Sequence, residues 1–258
     1  MTAPPIIELR DAELAYRLAR HGSSTLKELF VDLTRRHVRY ERYEALRGVS
    51  LEVSAGEVLG VVGVNGAGKS SLMKMIAGIL PPSGGRVIVR GAVAAMIELG
   101  AGFSHELTGR ENIVLYGSLL GRDPRAVRGR IEAIADWAGV TEFLDVPVRT
   151  YSTGMLARLA FAICTDRQPE VLLVDEVMAV GDTEFLERSA DRMRRLIHDG
   201  TAVVLVSHDM ATIVEQATRA IWLEAGRVRA DGAPADVVAA YVADGREAAA
   251  DQSPPRAP

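Results

Sequence analysis

The chain has 258 residues, 48% of them hydrophobic and 25% charged, a profile that suits one α/β domain with a subdomain inserted into it. A formal net charge of −4 gives no general electrostatic attraction to nucleic acid. The single cysteine, Cys164, excludes an internal disulfide and fits a reducing cytosol.

In chain order, the N-terminus MTAPPIIELR carries acid and proline where a signal peptide would be basic and then apolar. Residues Ile6 to Leu9 read as a short strand. From His21 to Glu44 the sequence is polar, with a basic group at Arg35, Arg36, His37, Arg39 and Arg42. The segment from Arg35 to Arg47 reads either as a solvated helix face or as a surface for anionic headgroups or a partner's amphipathic helix. The run LRGVSLEVSAGEVLGVVG then alternates and becomes continuously apolar at Val58 to Val62, as a buried strand does. Ser70 to Leu80 has helical spacing ended by Pro81-Pro82, and PPSGGRVIVRG reads as turn and strand. From about Leu107 to Cys164 the pattern is helical. After it, strands and helices alternate: VLLVDE, a helix over Thr183 to His198, TAVVLVSH, another helix, IWLEAGRV as one strand, and a last helix near Ala235 to Tyr241. Such alternation implies a parallel sheet covered on both faces, with the middle helices inserted into it. The domain is expected over residues 1–245, with the helical subdomain at about 105–165, and the Pro-rich tail 246–258 reads as disordered. No run approaches the ~20 apolar residues of a membrane-spanning helix, so any pore must come from another polypeptide.

Four local patterns carry chemistry. Gly63-Val64-Asn65-Gly66-Ala67-Gly68-Lys69-Ser70, followed by Ser71, matches G-x-x-x-x-G-K-[ST] between a buried strand and a helix. Backbone N–H groups there can wrap phosphates, Lys69 can neutralise β- and γ-phosphate oxygens, and the Ser70 hydroxyl can ligate Mg²⁺. Val171 to Val174 form an apolar run ending in Asp175-Glu176, at the strand end where α/β sheets bind ligands. Asp175 suits Mg²⁺ and Glu176 suits activation of a water. Tyr151-Ser152-Thr153-Gly154-Met155 precedes a periodic helix, which makes it either a second anion-binding terminus or an ordinary Ser/Thr cap. His208 follows the strand VVLV and can donate to a γ-phosphate.

In this order the four patterns resemble the ABC ATPase family, from about Ile6 to Tyr241. The resemblance implies an α/β P-loop NTPase fold with an inserted helical subdomain and an antiparallel β edge, binding ATP and Mg²⁺. It places YSTGM at the family's LSGGQ signature, so that Ser152 and Gly154 meet the γ-phosphate held by a second subunit of a homodimer. Lys69, Glu176 and His208 take the catalytic places, Ala179 to Asp182 correspond to the loop at the dimer seam, and Tyr16 best fits the aromatic that stacks on adenine, with Tyr40 and Tyr43 as competitors. Glu98 lies nearest the expected glutamine, in the metal set with Ser70 and Asp175, and no proline follows Glu176. ELGAGF, ELTGRENI, YSTGM and DEVMAVGD are together similar to ATP-binding subunits of bacterial polysaccharide exporters. That branch implies a permease partner in two copies, a seat on the cytoplasmic face of the inner membrane, and export of a lipid-linked polymer. No strand-rich block for carbohydrate recognition and no nucleic-acid partner are expected. The alternative is a soluble ABC ATPase acting on ribosomes or DNA.

Overall fold

The computed structural model describes residues 4–19, 40–97, 102–175 and 183–251. Two sheets organise them. Strands β1 (Ile7–Ala19), β2 (Tyr40–Val53) and β4 (Gly84–Val89) form an antiparallel sheet in the order β2-β1-β4. Strands β3 (Val58–Val62), β5 (Val93–Met96), β6 (Val171–Asp175), β7 (Ala202–Val206), β8 (Arg219–Glu224) and β9 (Arg227–Gly232) form the other, ordered β5-β6-β7-β3-β8-β9. Its pairs are parallel except β8 with β9, so the expected α/β architecture with an antiparallel edge is present.

The larger sheet is apolar on both faces because both are covered. In β6 and β7, Leu172, Val174, Val203 and Leu205 pack with the helical region, while Val171, Leu173, Val204 and Val206 pack with the antiparallel sheet. The two-residue period of a strand sends alternate side chains into separate cores. Helix α1 (Lys69–Ile76) buries Leu72, Met73, Met75 and Ile76 against the second core. Burial of each such side chain contributes roughly 1.5–3 kcal/mol. That outweighs the ~1 kcal/mol a side-chain N-cap would add, so the helix holds although Gly68 offers none.

The helical region comprises α2 (Gly109–Leu119), α3 (Pro124–Arg128), α4 (Ile131–Ala138) and α5 (Thr153–Thr165). Its boundaries are set by local chemistry. Thr108 and Glu111 cap α2 reciprocally, Asp123 caps α3 ahead of Pro124, and left-handed Gly139 stops α4. Helices α6 (Thr183–His198), α7 (Met210–Gln216) and α8 (Pro234–Asp251) complete the described residues.

Five expectations give way. Helix α1 stops at Ile76 rather than Leu80, because Gly78 turns left-handed before the prolines are reached. The strand expected at Ile6 to Leu9 runs on to Ala19, paired with β2 as far as Tyr40. Residues 40–47 of the basic segment are therefore strand, not a helix face; 35–39 lie outside the described residues. IWLEAGRV is a hairpin, not one strand: Ala225 and Gly226 both take positive φ, 45° and 79°, the pair a two-residue turn requires. The last helix continues to Asp251, so residues 246–251 are helical where a disordered tail was expected; the alanines at 248–250 favour that.

Candidate functional site

Parallel pairing brings three strand ends to one edge. Asp175 at the end of β6 stands level with Val206 of β7, and Val206 stands level with Val61 of β3. The turn from Gly63 to Gly68 leaves β3 at this edge and enters α1.

Two glycines show why the turn has this sequence. Gly63 has φ 153°, and a Cβ there would collide with the carbonyl of Leu223 in β8. Gly68 has φ 109° and a Cβ on it would lie 2.6 Å from the Ala45 carbonyl. The turn is thus pressed against β2 and β8 from behind. In front it is open: the space where a Cβ of Gly66 would sit has no atom within 4 Å. Gly68 supplies no side-chain cap and the first turn of α1 holds no acid, so its leading N–H groups are turned to an incoming anion. Lys69 folds back along the turn, its Nζ donating to the carbonyls of Gly63 at 2.6 Å and Val64 at 3.0 Å.

A cleft of about 400 Å³ opens here. Asn65, Gly66, Gly68, Lys69, Ser70 and Ser71 line one wall; Tyr43 and Ala45 of β2, Asp175 and Val206 complete it. A phosphate chain fits the open face over Gly66, and the Ser70 hydroxyl with the Asp175 carboxylate supplies hard oxygen donors of the kind Mg²⁺ takes. Among the cleft residues expected from sequence, Gly63, Val64 and Ala67 belong to the turn without lining the cleft; Val64 is exposed and Ala67 is buried beneath it.

The three candidate tyrosines take different places. Tyr43, not Tyr16, lines the cleft. Tyr16 is its direct cross-strand partner and packs on the second core, with its hydroxyl 3.2 Å from Ser71 Oγ. Tyr40 pairs with Ala19, farther out along the arm.

Ser152 and Gly154 are not in the cleft. Ser152 caps α5, accepting from the Met155 N–H at 3.2 Å, and Gly154 lies in the first turn, half-buried. His208 is exposed two residues beyond Val206. Its neighbour Asp209 caps α7, where the Thr212 hydroxyl and the Ala211 N–H hold its carboxyl below the usual value, with a smaller contribution from His208. Glu98, Glu176 and the segment Ala179 to Asp182 lie outside the described residues.

Ala45 and Val206 were missed from sequence. Their places come from the long-range pairing of β2 and β7 with the turn, and no local pattern marks them. Tyr43 was among the three candidate tyrosines, and which of them meets the cleft depends on how the β1–β2 pair lies against the turn from Gly63 to Gly68, which no local pattern marks.

Known proteins share the sequence and the fold. The family model described as ABC transporter matches residues 46–179. The O-antigen export system ATP-binding protein RfbB of Myxococcus xanthus is 42% identical over 197 residues, 76% of this chain and 45% of that protein. The protein of the same name from Klebsiella pneumoniae is 37% identical over 92% of this chain and 97% of its own length. The teichoic acids export ATP-binding protein TagH of Lactococcus lactis is 40% identical over 76% of this chain and 42% of its own. The chain thus spans less than half the length of the Myxococcus and Lactococcus relatives and nearly all of the Klebsiella one. In fold, it is similar to a dimeric ATP-binding cassette in a post-hydrolysis state bound to ADP and Pi, with TM-score 0.70, 20% identity, and coverage of 88% of this chain and 98% of that one.

Proposed function

The chain belongs to the ABC transporter family, and on that premise we propose that it hydrolyses ATP to drive export of a lipid-linked polysaccharide. It works as a homodimer, seated against two copies of a multi-spanning permease on the cytoplasmic face of a bacterial inner membrane. The supporting observation is the convergence of Lys69, Ser70, Asp175 and Tyr43 on one cleft at the parallel sheet's carboxyl edge. No helix among the described residues is long and apolar enough to cross a membrane, so the pore belongs to the partner. The named functions of the three relatives favour export over the ribosome or DNA reading.

Each residue then has a task. The N–H groups around Gly66 and at the start of α1 hold the phosphates, and Lys69 exchanges its carbonyl partners for β- and γ-phosphate oxygens. The ring of Tyr43 stacks on the base. Ser70 and Asp175 would hold Mg²⁺, with Glu98 as the further ligand the sequence suggests; bound there, the ion would neutralise phosphate charge. Glu176 orients a water and accepts its proton as the water oxygen attacks the γ-phosphorus and ADP leaves. His208 donates to the γ-phosphate. Ser152 and Gly154 of the second copy close the site, because in one chain they do not reach the cleft. Loss of the shared γ-phosphate separates the copies, and the motion passes to the permease through the GAGF segment and adjoining helices. Residues 1–245 constitute the ATPase domain, with the subdomain near 105–165 carrying the signature.

The test is association and turnover together. From detergent-solubilised membranes the tagged chain should bring down a multi-spanning partner, and its deletion should leave unexported polymer inside the cell. Recovery with ribosomes or DNA and no membrane partner would overturn this reading.

A further inference from the structure

The signature segment of this chain begins with tyrosine where the family has leucine, and that tyrosine has an unusual setting. Tyr151 is 7% exposed, and its hydroxyl donates to the Phe143 carbonyl at 2.6 Å. The Phe143 ring packs edge-on against it, 6.3 Å between centroids. Its hydroxyl also occupies the space where a side chain on Gly109 would begin: a Cβ there would collide with it. Gly109 lies in the first turn of α2 and is absent from the positive-φ residues. Alanine would favour the helix there, so the contact with Tyr151 accounts for the glycine of ELTGREN.

Around this contact the two segments are laced together. The Gly109 and Arg110 N–H groups donate to the Val146 and Leu144 carbonyls, and those of Val148 and Arg149 donate to Leu107 and His105. Thr108 and Pro147 bridge in antiparallel fashion. The stretch beginning at Gly102, the third residue of GAGF, is thereby joined to the stretch ending at Ser152. Tyr151 is the last side chain before the cap of α5, and its backbone sits at φ −76°, ψ 145°, the extended turn that starts the helix at Ser152.

We propose that Tyr151 is a positioning residue for the signature helix: its hydroxyl, seated over Gly109 and bonded to Phe143, fixes the direction in which the α5 N-terminus presents Ser152 and Gly154 to the nucleotide of the second subunit. This rests on the shared-site reading above. It also explains why glycine at 109 and tyrosine at 151 occur together, since each shapes the space of the other.

The test is a double-mutant cycle on the full chain. Tyr151→Phe removes only the hydroxyl; Gly109→Ala keeps every donor and acceptor but pushes that hydroxyl off its seat against the Phe143 carbonyl. Each should lower turnover at saturating ATP roughly threefold to tenfold, the range of one neutral hydrogen bond. Each should also raise the ATP concentration that dimerises the Glu176→Gln chain. Affinity of the monomer for a fluorescent ATP analogue should hold, since neither residue lines the cleft, and the melting temperature should fall by no more than the few degrees that one hydrogen bond accounts for. Combined, the two should cost no more than Gly109→Ala alone, because the phenyl ring leaves room for the methyl. Additive losses, or wild-type turnover and dimerisation in Tyr151→Phe, overturn the proposal, as does a loss of turnover accounted for by unfolding of the variant at the assay temperature. Gly154→Asp separates this outcome from failure of the shared site. An acid in the first turn favours the helix but repels a phosphate, so full activity in that variant would overturn the shared-site reading itself.

Discussion

Tyr16 and Tyr43 stand directly opposite each other across β1 and β2, yet they face different tasks: Tyr43 lines the cleft, and the Tyr16 hydroxyl meets Ser71 Oγ at 3.2 Å. Stacking on an aromatic contributes about 1–3 kcal/mol per base. Tyr43→Ala should therefore weaken ATP binding at least about fivefold, measured by titration calorimetry. Tyr16→Phe should change it by less than about threefold, since it removes one partly buried hydroxyl contact. The reverse ranking would return the base to Tyr16.

Lys69 is already aimed along the turn by the carbonyls of Gly63 and Val64. A hydrogen bond to a charged group contributes about 1.5–3 kcal/mol, so Lys69→Ala should weaken nucleotide binding by at least about tenfold. Titration with a fluorescent ATP analogue reads this. Undiminished affinity would contradict the phosphate-holding role.

Glu176→Gln keeps the shape of the side chain and removes its basicity. Turnover should fall by at least about a hundredfold while ATP still binds. In saturating ATP this variant should elute from a sizing column as a dimer. Parental turnover would remove Glu176 from the base role.

Cys164 is fully buried in α5 beside the Tyr116 hydroxyl, and burial pushes its thiol from 9.0 up to about 12. Below pH 9 both folded and unfolded chains keep the proton and no stability is lost. Between about pH 9 and 12 the unfolded thiol ionises while the folded one does not, so stability falls as pH rises. Tyr116 is raised by burial as well and acts in the same direction. Thiol reagents at pH 8 should label the protein only on unfolding, and the alkaline fall in melting temperature should be shallower in Cys164→Ala. Fast labelling of the folded chain would contradict this burial.

The parts legible in sequence are those whose signal is local. The turn from Gly63 to Ser70 announces itself because phosphate binding needs glycines and a lysine at fixed spacing. The apolar runs at Val58, Val171 and Ala202 reveal strands because both faces are buried. The unread parts depend on partners far away in the chain. β5 is four residues of Val, Ala and Met between exposed Ala92 and buried Ile97, held as a strand by its pairing with β6. The length of β1 comes from β2, which begins twenty-one residues after β1 ends. The register makes Tyr16 and Tyr43 cross-strand partners, and their different surroundings come from distant packing, Tyr16 on the second core and Tyr43 at the cleft.

The Ala225–Gly226 hairpin touches the phosphate turn from underneath: the Gly226 N–H donates to the Ala67 carbonyl and its own carbonyl accepts from the Arg47 N–H. Leu223 of the same hairpin closes on Gly63. A fragment cut to residues 46–179, the span matched by the family model, would keep the motif letters from Gly63 to Glu176 and lose His208 and the floor beneath the turn. Expressed by itself it should grip nucleotide poorly, because half of what shapes its loop is encoded more than forty residues downstream.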